Sequence, residues 1–90
     1  MKDPGKVPFN PRLQWAILEV VDNQLKANDP PETRETLDRL MAEGQTREDA
    51  RKLIGQVVTH ELFLLMKRKE MFNHERFVRN LRRLPAPPEE

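Results

Sequence analysis

Four times along this chain, a residue that caps helices stands before a stretch with apolar side chains at three- and four-residue spacing. That repetition restricts the fold to helices packed on helices. The first start is Asn10-Pro11, where asparagine accepts from the unpaired amides of a first turn and proline at the first helical position loses no hydrogen bond. Asp29-Pro30-Pro31-Glu32 repeats the signal with aspartate as cap and glutamate three residues on, and Gly44 stands where a left-handed residue closes that helix. Thr46-Arg47-Glu48-Asp49 is a capping-box variant, and Asn73 caps the fourth stretch. No strand pattern or internal repeat competes with these signals.

Stepping about 100° per residue, Leu13, Ile17, Leu18, Val20, Val21 and Leu25 gather on one face of the first helix, opposite Glu19, Asp22 and Asn23. Leu37, Leu40 and Met41 make a narrow stripe on the second. On the third, Ala50, Ile54, Val57, Val58 and Leu65 line one side, while Leu53, Leu62, Phe63, Leu64 and Met66 spread apolar surface nearly around the circumference. Such a helix is central to the domain or shared with a second chain. Extended in phase, Phe77, Val78, Leu81 and Leu84 would point away from the Ile54 and Leu65 face, so a break is expected between Met71 and Asn73. The predicted fold is all-α: a compact bundle of four helices over about 10–27, 30–43, 47–70 and 74–84, with flexible tails at 1–9 and 85–90.

At 90 residues the chain is a single small domain, and domains of this size bury a modest fraction of their surface. A second copy would supply further core. Its 16 basic and 15 acidic residues leave a net charge of +1, so no field of one sign names a partner. The basic excess is C-terminal: 10 basic against 7 acidic residues from Thr46 onward. The absence of cysteine excludes disulfides, thiolate nucleophiles and zinc-finger ligand sets, and accords with a reducing cytoplasm. The longest apolar run, Leu62 to Met66, is far too short to span a membrane, and Lys-Asp-Pro-Gly after Met1 is not a signal core. The expected protein is cytoplasmic, with no membrane partner.

Glu61 is the most informative single residue, because it falls within the apolar face of Ala50, Ile54, Val57 and Leu65. A buried carboxylate without a partner is costly. The expectation is a structural carboxylate bonded to an arginine, an amide or a helix terminus, with a metal ligand or base as the functional alternative. Gln14, among the apolar residues of the first helix, is a candidate partner for it. His60-Glu61 has the start of a metalloprotease helix motif, but Leu64 stands where the second histidine belongs. The remaining histidine, His74, suits a capping or surface role. Neither a catalytic residue nor a metal or other cofactor is assigned.

Trp15 projects away from the main face of the first helix, near Asp22 and Glu19. It packs under the fourth helix or the N-terminal tail, or it anchors a partner. Arg76, Arg79, Arg82 and Arg83 fall on one side of the fourth helix, with Lys67, Arg68 and Lys69 just upstream. Such a basic face grips phosphates or simply remains solvated while complementing the helix C-terminus. No aromatic residue interleaves with it to stack bases.

The two helices around Gly44 have the outline of a helix-turn-helix, but Glu48 and Asp49 would meet DNA phosphates in the turn a recognition helix uses. The stretch Leu40 to Gln45, with Ala50 and Leu53, has a faint likeness to a ubiquitin-associated domain, from which Gln45 departs at an apolar contact position. More of the chain, roughly Asn10 to Lys67, is similar to a group of small bacterial helical proteins and domains of unknown function. The likeness is carried by Asn10-Pro11, Gln24-Leu25, Asn28 to Glu32, Arg39-Leu40, Gly44, Glu48 to Ala50 and Ile54-Gly55. It implies a bacterial, intracellular helical protein and no established activity. Members with this pattern often carry histidines in the first helix and beside the Ile-Gly pair, where this chain has Gln14, Leu18 and Lys52. Any metal role attached to those histidines is therefore not expected here.

These features favour a non-catalytic protein that associates with itself as a homo-oligomer, most simply a dimer, or with an unidentified protein partner. Trp15, Phe63 and Leu64 are the apolar candidates for that contact. Binding of nucleic acid or an acidic partner through Arg76, Arg79, Arg82 and Arg83 is the alternative.

Overall fold

The computed structural model describes residues 11–90; the predicted tail at 1–9 and the Asn10 cap lie outside the described residues. Four helices follow one another: α1 (Pro11–Ala27), α2 (Pro31–Ala42), α3 (Arg47–Arg68) and α4 (His74–Arg83), with no strand among the described residues. The bundle measures 37 × 29 × 23 Å. The central helix, α3, packs against each of the other three, and α2 touches both α1 and α4. Between α1 and α4 there is no close backbone approach.

The helix ends follow from local chemistry. Asn28, at φ 53°, ends α1 in the left-handed conformation; the Asp29 amide then reaches the Gln24 carbonyl at 3.0 Å and the Asn28 amide reaches Leu25 at 3.2 Å. Gly44, at φ 104°, does the same for α2, with the Gln45 amide on the Leu40 carbonyl at 3.0 Å. Thr46 Oγ1 accepts from the Asp49 amide at 3.0 Å, and Asn73 Oδ1 accepts from the Arg76 amide at 2.9 Å, so both expected caps are formed. The Asp29 cap is not: Pro30 occupies the cap position of α2 and no side chain closes its first turn. With Asn28 already left-handed, the chain reaches α2 one residue later than the sequence signal implies, and Thr33 instead bonds Gln24 Oε1 at 2.9 Å.

Val21 and Leu25 from α1, Leu37 and Leu40 from α2, Ala50, Ile54 and Val57 from α3, and Phe77, Leu81 and Leu84 around α4 form one core. Two α2 arginines cap neighbouring helices: Arg34 donates to the Leu25 carbonyl at the end of α1 (3.0 Å), and Arg39 to the Leu81 carbonyl at the end of α4 (3.1 Å). Gly55 admits α1 closely. A Cβ at this position would stand 3.2 Å from Ile17 Cγ2. Four residues before it on α3, Arg51 meets Asp22 of α1 with two bonds of 2.9 and 2.8 Å. These paired contacts make α1 and α3 antiparallel.

One register differs from expectation. The buried seam of α3 is Ala50, Ile54, Val57, Glu61 and Leu64, alternating four and three residues, while Val58 and Leu65 are only half-buried on its flank. Leu64, a candidate contact residue by sequence, is completely buried and belongs to the interior. The break after α3 is where phase requires it, although α3 ends at Arg68 with Lys69 left-handed at φ 55°.

Candidate functional site

Three surfaces or clusters have the residues to do more than hold the fold. The first centres on Glu61, 3% exposed at the C-terminal half of α3. Arg76 Nε donates to Glu61 Oε1 at 2.8 Å and Arg76 Nη2 to Oε2 at 2.7 Å, a two-pronged pair in which both residues are buried. The Asn73 amide donates to the same Oε2 at 3.0 Å, and Arg76 Nη1 reaches Glu70 at 3.2 Å. Glu61 therefore holds both the cap of α4 and the first turn of α4, fixing how that helix leaves the turn. Gln14 is half-buried on α1 and donates none of the carboxylate's bonds.

Burial alone would push the Glu61 carboxyl up, but the Arg76 bond, the Asn73 amide and the nearby charges of Arg76 and His60 outweigh it. Its pKa lies below the ordinary value, and the Glu61 bond holds the Arg76 guanidinium more firmly charged. With both oxygens taken by fixed donors and the charge locked in, the arrangement supports geometry rather than proton transfer. Among the described residues, no group of three or more histidine, aspartate or glutamate side chains could hold a metal ion.

The second surface is the basic side of α4. Arg76 does not belong to it: its guanidinium turns inward to Glu61, because a buried carboxylate four turns along α3 requires a countercharge. Arg79, Arg82 and Arg83 remain outward and, with the carboxylates Glu32 and Glu75 and with His74 and Val78, line an open groove of about 440 Å³. Arg79 and Arg83 also contact the C-terminal segment. Arg83 Nη1 donates to the Pro87 carbonyl at 2.7 Å, and Arg79 Nη2 to the Glu90 carbonyl at 3.3 Å. Between them Asn80, 1% exposed, donates to the Glu89 carbonyl at 2.7 Å and accepts from the Glu89 amide at 2.9 Å. The composition that marks 85–90 as a tail carries no sign of these bonds.

The third surface is apolar. Leu62, Phe63 and Met66 stand on the outer side of α3, exposed by 40, 48 and 72%, and Met71 and Phe72 continue outward in the following turn. Lys67 Nζ sits 5.6 Å from the centre of the Phe63 ring. Trp15 is 66% exposed, and since α1 and α4 do not approach each other, it does not pack under α4; the N-terminal tail lies outside the described residues. The Asp22–Arg51 and Ile17–Gly55 contacts fix the antiparallel register. Trp15, about two turns back along α1 from Asp22, and Leu62, about three turns forward along α3 from Arg51, therefore project from one flank of the pair.

Asn80 is the residue that sequence reasoning passed over. Its signal was available: at about 100° per residue it falls some 60° from Phe77, on the margin of the apolar face, where an amide needs a partner. No helix among the described residues is long and apolar enough to cross a membrane. Comparison with protein-family models, with curated proteins and with solved structures finds no match to the chain.

Proposed function

We propose that the protein is a non-catalytic association module, acting first through pairing with a second copy of itself. The observation that carries this reading is the outer apolar flank of Trp15, Leu62, Phe63 and Met66 in so short a chain. Contiguous exposed apolar surface on a small protein marks an interaction site, and tryptophan is enriched at the centres of such contacts. The cluster at Glu61 supports the same view, since its charges are spent on orienting α4. In this reading the chain is a bacterial cytoplasmic protein, consistent with its lack of cysteine and with the capping pattern it shares with small bacterial helical proteins. Light scattering at micromolar concentration tests it: a dimeric mass that falls to a monomer in Leu62→Glu/Met66→Glu supports the reading, and a strictly monomeric wild-type chain removes it.

A second reading, binding of nucleic acid or an acidic partner, rests on Arg79, Arg82 and Arg83 around the open groove. It predicts a salt-dependent mobility shift with generic RNA or DNA that disappears when these three arginines become alanine. Unchanged mobility at low ionic strength dismisses it.

A further inference from the structure

The contacts between α4 and residues 85–90 amount to a receptor holding a ligand that happens to be its own chain. The bonds have a one-sided chemistry. Pro85, Pro87 and Pro88 have no amide hydrogen, so this stretch of the segment offers mostly carbonyls. The α4 side supplies matching donors: Arg83 to the Pro87 carbonyl, Asn80 to the Glu89 carbonyl and Arg79 to the Glu90 carbonyl. Asn80 Oδ1 accepts from the Glu89 amide at 2.9 Å, while the Ala86 amide turns back to the Arg83 carbonyl at 2.8 Å. Every one of these bonds goes to backbone, so this face of α4 reads main-chain carbonyls in a stretch poor in amide hydrogens.

Side-chain charge supplies the second half of the match. The Glu89 carboxylate pairs with Arg83 at 3.3 Å and that of Glu90 with Arg68 at the end of α3. Asn80 is the decisive residue, because it is 1% exposed and both ends of its amide go to a single peptide residue. An asparagine serving only the helix would gain nothing from this orientation. If the segment lifted off, both of its polar atoms and the surrounding guanidinium groups would need a new partner.

The geometry points to the Arg79, Asn80 and Arg83 face of α4 as a docking surface for proline-rich acidic peptides, with residues 85–90 as the ligand bound in cis. The surface is separate from the apolar flank of Trp15 and Leu62, so the inference stands or falls independently of self-association. A partner segment of the same chemistry gains access by displacing the chain's own. Occupancy in cis lowers the apparent affinity by the fraction of time the surface stands open; a strap closed about nine-tenths of the time imposes about a tenfold reduction.

The test uses the full chain and a labelled heptapeptide, Leu-Pro-Ala-Pro-Pro-Glu-Glu, matching residues 84–90. Glu89→Arg/Glu90→Arg loosens the strap while leaving Arg68, Arg79, Asn80 and Arg83 in place. The loosened chain is expected to bind the peptide about tenfold more tightly than wild type, with the Asn80 side-chain amide signals shifting on titration. Adding Asn80→Ala to it is expected to abolish that gain. In wild type, heteronuclear NOE values at Glu89 and Glu90 are expected to match those of α4, a reading that needs no variant. Equal peptide affinity in the wild-type and loosened chains, or NOE values of a free chain end in wild type, overturns the proposal. So does capture by the loosened chain of a uridine oligonucleotide in preference to the peptide.

Discussion

Arg76 grips Glu61 with two parallel bonds of 2.8 and 2.7 Å inside the bundle, and the same carboxylate holds the Asn73 amide that precedes α4. One ion pair thereby joins the C-terminal half of α3 to the beginning of α4. Its value lies more in direction than in net stability, since desolvating two charges offsets much of their attraction. Removing one partner is another matter. Glu61→Gln leaves the Arg76 guanidinium buried with only the half-exposed Glu70 as countercharge, and is expected to cost about 3 kcal/mol. Replacing both, as Glu61→Leu/Arg76→Met, is expected to recover most of that loss. Urea unfolding of wild type, Glu61→Gln and the double variant measures it; Glu61→Gln as stable as wild type would show that the pair is not enclosed.

The same pair sets an acid limit. The folded-state pKa of Glu61 is lowered, so in the window between its folded value and the unfolded value of about 4.3 the unfolded chain binds more protons. Stability from this group is complete above that window and is lost as pH falls through it. The difference in unfolding free energy between wild type and Glu61→Gln is therefore expected to be constant from pH 7 to about pH 5 and to shrink below about pH 4. A difference that holds steady down to pH 2 would contradict the assignment.

Gly55 carries a prediction of a different kind. Its interior helix position would ordinarily favour alanine by about 1 kcal/mol, but the added Cβ meets Ile17 Cγ2 at 3.2 Å. Ile17 is branched at Cβ and has little freedom to turn away. Gly55→Val is expected to push α1 from α3 and to cost about 2 kcal/mol, lowering the melting temperature. Ile17→Ala is itself destabilising, yet in the double variant the two losses should sum to less than their separate values. Strict additivity in thermal unfolding would mean that the helices do not approach as closely as described.

How much of this was readable from the chain depended on how local the cause was. Gly44, Thr46 and Asn73 act within one turn of themselves, and each closes its helix as the sequence implies. Glu61 was legible as a polar residue on an apolar face and Arg76 was not legible as its partner, because the pairing depends on how sharply α4 turns back on α3. Leu64 was placed outside for a related reason: over 22 residues, a seam set by three neighbours follows an alternation of four and three rather than the free helix period. Asp29 fails as a cap because Asn28 has already turned the chain. The α4 docking surface was hidden because its ligand, 85–90, has the composition of a tail.

The arginines of α2 give a last pair of predictions, separable by where in the molecule their effects appear. Arg34 closes the end of α1 through the Leu25 carbonyl, and Arg39 closes the end of α4 through Leu81 while also pairing with Glu43 at 3.1 Å. Replacement by methionine keeps most of the apolar stem and removes the donor. Each change is expected to cost about 1 kcal/mol, the ordinary net value of one hydrogen bond at a partly exposed site. Global stability alone would not distinguish them, because both side chains leave the same helix. Amide exchange would: Arg39→Met is expected to speed exchange in the last turn of α4 and leave α1 unchanged, whereas Arg34→Met does the reverse. Exchange that rises equally at both helix ends in either variant would show that α2 is loosened as a whole and that neither arginine acts as a cap.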